Sequence, residues 1–163
     1  MRFRVILLLC LLFALPAAAQ LPAVDPGGQY RLIGPADRSD SACIGSPSTP
    51  LCAVETLLAC FANRDESLCW AVWRPPQAGG VLFAGPARPA YWWSYRIAGA
   101  VQTTPDEAVI AIAGRHCGLQ LDAPDCSTTP APPTSYRVRR AVGGGWQVVD
   151  WASTPGSGTV SLR

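Results

Sequence analysis

Lysine is absent from this 163-residue chain; all thirteen basic side chains are arginine. With no lysine there is no amine for Schiff-base chemistry or for a lysine general base. Histidine occurs once, at His116, so no histidine cluster can hold a metal. Neither a G-x-S-x-G turn nor a glycine-rich phosphate loop occurs. Serine-hydrolase, nucleotide and histidine-metal chemistries therefore have no support. No internal repeat is present. A long apolar run is missing too: the most apolar stretch, Val5 to Ala19, has 15 residues, against about 20 needed to span a bilayer.

That stretch has the layout of a cleaved export signal. Arg2 and Arg4 supply a positive start, Val5 to Leu15 an apolar centre, and Ala17-Ala18-Ala19 the small residues before a cut ahead of Gln20. Cys10 follows three leucines, not the small residue that a lipidation site would want. Removing residues 1–19 takes two arginines with it. Eleven Arg then face eleven Asp plus Glu, and the net charge of +2 disappears. No basic excess is left to neutralise phosphates, which argues against a nucleic-acid partner. The arginine-only, Ala- and Pro-rich composition points to a high-GC bacterial source, for which export means the periplasm.

Six cysteines remain beyond Ala19, at 43, 52, 60, 69, 117 and 126, and an even number in an exported chain implies disulfides. The spacings lack the short C-x2–4-C pair of zinc sites, so no metal is expected. Cys52 and Cys60 lie eight positions apart on one expected helix, separated by about 12 Å of rise. A disulfide requires about 4.4–6.8 Å, so these two cannot pair. Cys52 points nearly opposite the apolar stripe and needs a partner from outside the core; Cys43, in the loop leading in, is nearest. Cys60 sits near the helix end beside the short helix that carries Cys69, while Cys117 and Cys126 bracket a Pro- and Asp-containing loop. The expected bonds are Cys43–Cys52, Cys60–Cys69 and Cys117–Cys126.

The helix itself is the clearest element. Thr49 can cap it, Pro50 fits its first position, and Leu51, Val54, Leu57, Leu58 and Phe61 recur at helical spacing, with Glu55, Ala59 and Asn63 on the other side. It breaks at Asn63-Arg64-Asp65, and Asp65 can cap a second helix over Glu66–Trp73. Before the helix, residues 20–48 read as an extended lead-in with one strand hint at Tyr30-Arg31-Leu32-Ile33, tied down late by Cys43. After it, Val81-Leu82-Phe83-Ala84 is an apolar island, a short edge strand or a plug. Tyr91 to Ala98 alternates as a strand with Tyr91, Trp93, Tyr95 and Ile97 on one face. Thr103 to Asp106 marks a turn, and Glu107 to His116 is apolar on both faces, hence central. Tyr136–Val142 and Trp146–Trp151 form a hairpin around Gly143-Gly144-Gly145. Helices first and antiparallel strands afterwards make an α+β domain over residues 49–152, helices on one face of a curved sheet, with a tail over 153–163.

A capped helix, an Asn-Arg-Asp break, a short second helix, a long strand pair and a hairpin of the form YRVRR…GGWQVVDW resemble the NTF2-like superfamily of α+β cone folds. The resemblance covers Thr49 to Trp151. It implies a cone-shaped pocket and does not imply a reaction, because the superfamily holds isomerases, dehydratases, cyclases and non-catalytic subunits alike. No active-site motif of an enzymatic member matches here. The six cysteines and the loop from Gly118 to Pro133 depart from the compact enzymes of that superfamily.

Four residues stand out as candidates. Asp150 interrupts an apolar strand, where a carboxylate can serve as a base; it can equally face outward or pair with Arg137 or Arg139. His116 could be its acid–base partner, or a strand-end histidine satisfied by solvent. Trp93 and Tyr95 could line an apolar pocket or pack as core. The expectation is a disulfide-stabilised exported domain, without a cofactor, that binds an apolar ligand or an envelope protein. The alternative is an isomerase, dehydratase or cyclase using Asp150 and His116.

Overall fold

In the computed structural model, residues 20–25, 30–34, 39–74, 82–83, 92–117 and 132–153 are described, apart from the side chains of residues 92, 115 and 116. The expected export signal, Cys126, most of the 118–133 loop and most of the tail lie outside them. Two helices pack on one face of a five-stranded antiparallel sheet ordered β1-β2-β3-β4-β5, each strand beside the next in sequence. The chain is an α+β fold.

Helix α1 spans Pro50–Asn63. Thr49 caps it, accepting from the Cys52 N–H at 3.2 Å, and Pro50 occupies the first position. It ends at Arg64, a non-glycine residue in the left-handed region (φ 54°) whose N–H returns to the Cys60 carbonyl. Asp65 then caps α2, Glu66–Val72, by accepting from the Ser67 N–H at 2.9 Å. Trp73 leaves α2 as extended chain, one residue earlier than the sequence pattern suggests.

Helix α1 is buried on more than its apolar stripe. Val54 and Leu57 are fully covered, but so are Thr56 and Ala59, and Glu55 is 2% exposed. The lead-in supplies the second cover and is held well before Cys43. Asp25 closes two bonds with Ile97, its N–H to the carbonyl and its carboxylate to the N–H. Strand β1 (Arg31–Ile33) pairs with β2. Gly45 N–H donates to the Thr56 hydroxyl, and Asn63 donates to the Gly34 carbonyl at 2.8 Å. These ties are mostly backbone bonds, which leave no apolar periodicity to read.

Strand β3 (Glu107–Cys117) is central, and Ala108, Ile110 and Ile112 point into the core with Tyr95 and Ile97 of β2 (Trp92–Thr104). Strand β2 continues beyond Ala98 because a bulge there shifts the register between Ile97↔Ile112 and Gly99↔Ala111. The extra residue breaks the period-2 pattern without ending the strand. A second bulge governs β4 (Thr134–Arg140) and β5 (Trp146–Ser153). Val138 pairs with Val148 but Arg137 pairs with Asp150, so Val149 is the inserted residue. Gly144, at φ +88°, turns the intervening loop as its position in the glycine run requires.

Candidate functional site

The bulge at Val149 decides what faces where. Undisturbed alternation from Trp146 would put Val148, Asp150 and Ala152 on the helix side. With one residue inserted, Trp146, Val148 and Trp151 share that side instead, in register with Arg140, Val138 and Tyr136. Trp146 and Val148 are buried, whereas Val149 and Asp150 are exposed. Asp150 faces out opposite Arg137, 3.8 Å from its guanidinium, in a row with Glu107, Arg137 and Arg139. Solvent screening leaves such a pair little energy.

Asp150 and His116 stand at backbone positions far apart along the sheet. Arg137 is in register with both Asp150 and Val109, which sets Asp150 level with Val109. His116 pairs with Trp93, seven residues further along β3, a distance of roughly 23 Å at about 3.3 Å per residue. Proton transfer needs contact at about 3 Å or one bridging water. That separation in register gives no support to pairing the two as acid and base.

Tyr95 sits in the core. It is fully buried, and its hydroxyl donates to Glu55 Oε1 on the flank of α1. Burial, then the Glu55 charge and this hydrogen bond, push the phenol far above its ordinary value. Trp93 is half-buried against the core; its ring lies 3.2 Å from where a Cβ on Gly114 would stand, and glycine there makes the room.

Two arrangements are left that periodicity did not reveal. The first is a buried polar cluster around Glu55. Its Oε2 accepts from the Ser41 hydroxyl and lies 3.3 Å from Cys43 Sγ, while Oε1 takes the Tyr95 hydroxyl. Arg31 from β1 stands nearby, bound to Asp25 at 2.8 Å. Burial works to lower the Arg31 pKa, but the Asp25 hydrogen bond and charge, with smaller contributions from Tyr95 and Glu55, raise it overall. Cys43 is bonded to Cys52 and Cys60 to Cys69, with Cα separations of 5.4 and 5.2 Å. Cys117 is also disulfide-bonded, while its expected partner Cys126 lies outside the described residues. The two sulfurs and the Glu55 carboxylate fall within 4.8 Å of one another. With the sulfurs bonded to each other, only the carboxylate could offer a metal a charged ligand.

The second arrangement is aromatic. Phe61 from α1, Trp73 after α2, Phe83 from the apolar island, Tyr136 from β4 and Trp151 from β5 converge. Trp73 and Trp151 meet edge to face at 5.0 Å, and all five rings stay half-buried. Arg64 sits over Phe83 at 5.3 Å and donates to its carbonyl. Leu82 packs against the same core, so that island, where described, behaves as a plug. Phe61 and Trp151 were visible in sequence as ordinary apolar positions; only the bulge brings the second to the first.

No protein-family model, curated protein or solved structure matches this chain. Among the described residues, no helix is long and apolar enough to cross a membrane. The disulfides are compatible with an extracellular or periplasmic location.

Proposed function

We propose that this disulfide-stabilised α+β domain is an exported, non-catalytic binding module whose seat for an apolar ligand is the Phe61–Trp73–Phe83–Tyr136–Trp151 cluster. One observation carries the reading: five rings from five separate segments gather on the helix side of the sheet, and none is fully buried. A purely structural cluster would bury its rings more completely, since each fully buried large apolar side chain is worth about 1.5–3 kcal/mol. Arg64 at the rim suits an amphiphile with an acidic head. The NTF2-like kinship belongs to the same proposal, supported by helices on one face of a bulged antiparallel sheet.

The experiment is a fluorescence titration of the oxidised full chain with a fluorescent fatty acid and, separately, its methyl ester. Saturable binding that weakens at least about 10-fold in Trp151→Ala, a loss of the size expected for an aromatic anchor, supports the seat. Absence of saturable binding to the folded wild type overturns it.

A further inference from the structure

The two described disulfides of α1 stand in opposite environments. Cys60 and Cys69 are both fully buried. Cys43 is half-exposed in the loop before the helix, and Cys52 is 7% exposed in the helix's first turn. Three features gather on the Cys43–Cys52 bond. Cys52 is the third residue of α1, where the unpaired N–H groups and positive dipole end favour a thiolate. The Thr49 hydroxyl lies 3.0 Å from Cys52 Sγ, placed to donate to it. Glu55, almost entirely buried, holds a carboxylate oxygen 3.3 Å from Cys43 Sγ. A bond that only staples the loop needs neither a stabilised leaving sulfur nor a buried proton acceptor.

We propose that Cys43–Cys52 is a redox-active disulfide that opens and closes by exchange with thiols, with Glu55 as the proton acceptor for Cys43. In opening, one thiolate of an external dithiol attacks the sulfur of Cys43, the less buried of the two cysteines. The S–S bond breaks, and its electron pair leaves on Cys52 as a thiolate held by the α1 N-terminus and Thr49. The second thiolate of the dithiol then attacks its own sulfur in the mixed disulfide and releases Cys43. The dithiol is oxidised to a disulfide, the protein disulfide is reduced, and the two protons lost by the dithiol end on Cys43 and Cys52. In closing, Cys43 passes its proton to Glu55 as it attacks a small disulfide. That attack releases one small thiolate; Cys52 gives its proton to solvent, attacks the Cys43 sulfur, displaces the second small thiolate and restores the bond, and the two small thiolates take up the two protons. Opening also loosens the loop that carries Ser41 and Gly45 from α1, because those residues hold Glu55 and Thr56.

The charged and titratable groups around Glu55 are Tyr95 from β2, Arg31 from β1 with Asp25 behind it, Cys43 from the loop and, once reduced, Cys52 from the first turn of α1. The test begins with the native full chain. It is treated with graded dithiothreitol without denaturant, and differential alkylation is read by peptide mass spectrometry. Labelling of Cys43 and Cys52 while Cys60 and Cys69 stay protected is the expected result. Labelling of Cys60 and Cys69 first, or of all four cysteines together only on unfolding, overturns the proposal. Reoxidation of that selectively reduced protein by oxidised glutathione is then followed against pH for wild type and Glu55→Gln. The variant is expected to be at least about 10-fold slower near pH 7, the low side of what a positioned base supplies. The two rates should converge above about pH 9, where a thiol of ordinary pKa ionises unaided. A Glu55→Gln rate equal to or faster than wild type across the range shows a merely repelling charge and overturns the role of Glu55.

Discussion

Glu55 shows how far one side chain can depart from the place its spacing suggests. On a helical wheel it falls away from the apolar stripe, where a carboxylate would ordinarily meet water. In the fold it joins three segments, accepting from Tyr95 of β2 and Ser41 of the lead-in while standing on α1. Such a group is tolerated in the interior only while its acceptors are used. Tyr95→Phe strips one donor and leaves a buried oxygen unpaired, at a cost of about 1–3 kcal/mol at neutral pH. The alkaline behaviour has a definite sign. Tyr95 in the fold has its pKa raised above 10.0, by burial first and Glu55 next, so the fold favours the neutral phenol. Its contribution is complete below the unfolded value and is lost as pH climbs above about 10. Urea unfolding at pH 7 and at pH 10.5 should therefore show the gap between wild type and Tyr95→Phe narrowing at the higher pH. A gap that widens would mean that Glu55 does not hold the phenol neutral.

Among the elements, the β4–β5 hairpin does most to shape the candidate site, and one inserted residue does the shaping. Val149 contributes no core contact of its own, being 40% exposed. Its insertion puts Trp151 against Phe61 and Trp73 and turns Asp150 out to Arg137. Deleting Val149 would remove the bulge and leave strict alternation with Val148 and Trp151 inward and Asp150 outward, the sides they already occupy. Because the facing is kept, the deletion is expected to cost no more than about 3 kcal/mol, the upper end for an ordinary single change. Asp150→Asn should change stability by no more than about 0.5 kcal/mol, as for an exposed position. Urea midpoints for the two variants check this directly. If deletion instead unfolds the domain, the bulge itself, and not only the pairing on either side of it, holds the hairpin.

For the molecule as a whole, α1 is the element that the covalent framework fastens at both ends, by Cys43–Cys52 at its start and Cys60–Cys69 near its close. Each bond closes a loop of about ten residues and contributes roughly 2–3 kcal/mol in the chain-entropy picture. Replacing Cys60 and Cys69 together by alanine is expected to lower the melting temperature by on the order of 10 °C for a domain of this size. It should leave the Cys43–Cys52 bond in place, read by calorimetry with thiol counting. Failure of the double variant to lose stability would mean that packing of Phe61, Leu68 and Trp73 already fixes the two helices against each other.

Local chemistry was enough for much of this. Thr49 and Pro50 mark the start of α1 because their own backbone preferences suit its first turn, and Asp65 marks α2 for the same reason. Helix rise excluded a Cys52–Cys60 bond, direction and nearness favoured the Cys43–Cys52 and Cys60–Cys69 pairings that are found, and the two apolar faces of β3 pointed to its central place. Alternation also put Tyr95 and Ile97 on one face, as found. The rest depended on contacts between residues far apart in the chain. No pattern near Glu55 announces a tyrosine forty positions later, because a hydrogen bond across layers leaves no period behind. No pattern near Val149 announces a bulge, because an extra residue is visible only against its partner strand. Propensity and covalent reach determined the elements and their staples; the pairing of strands decided which side chains became a site.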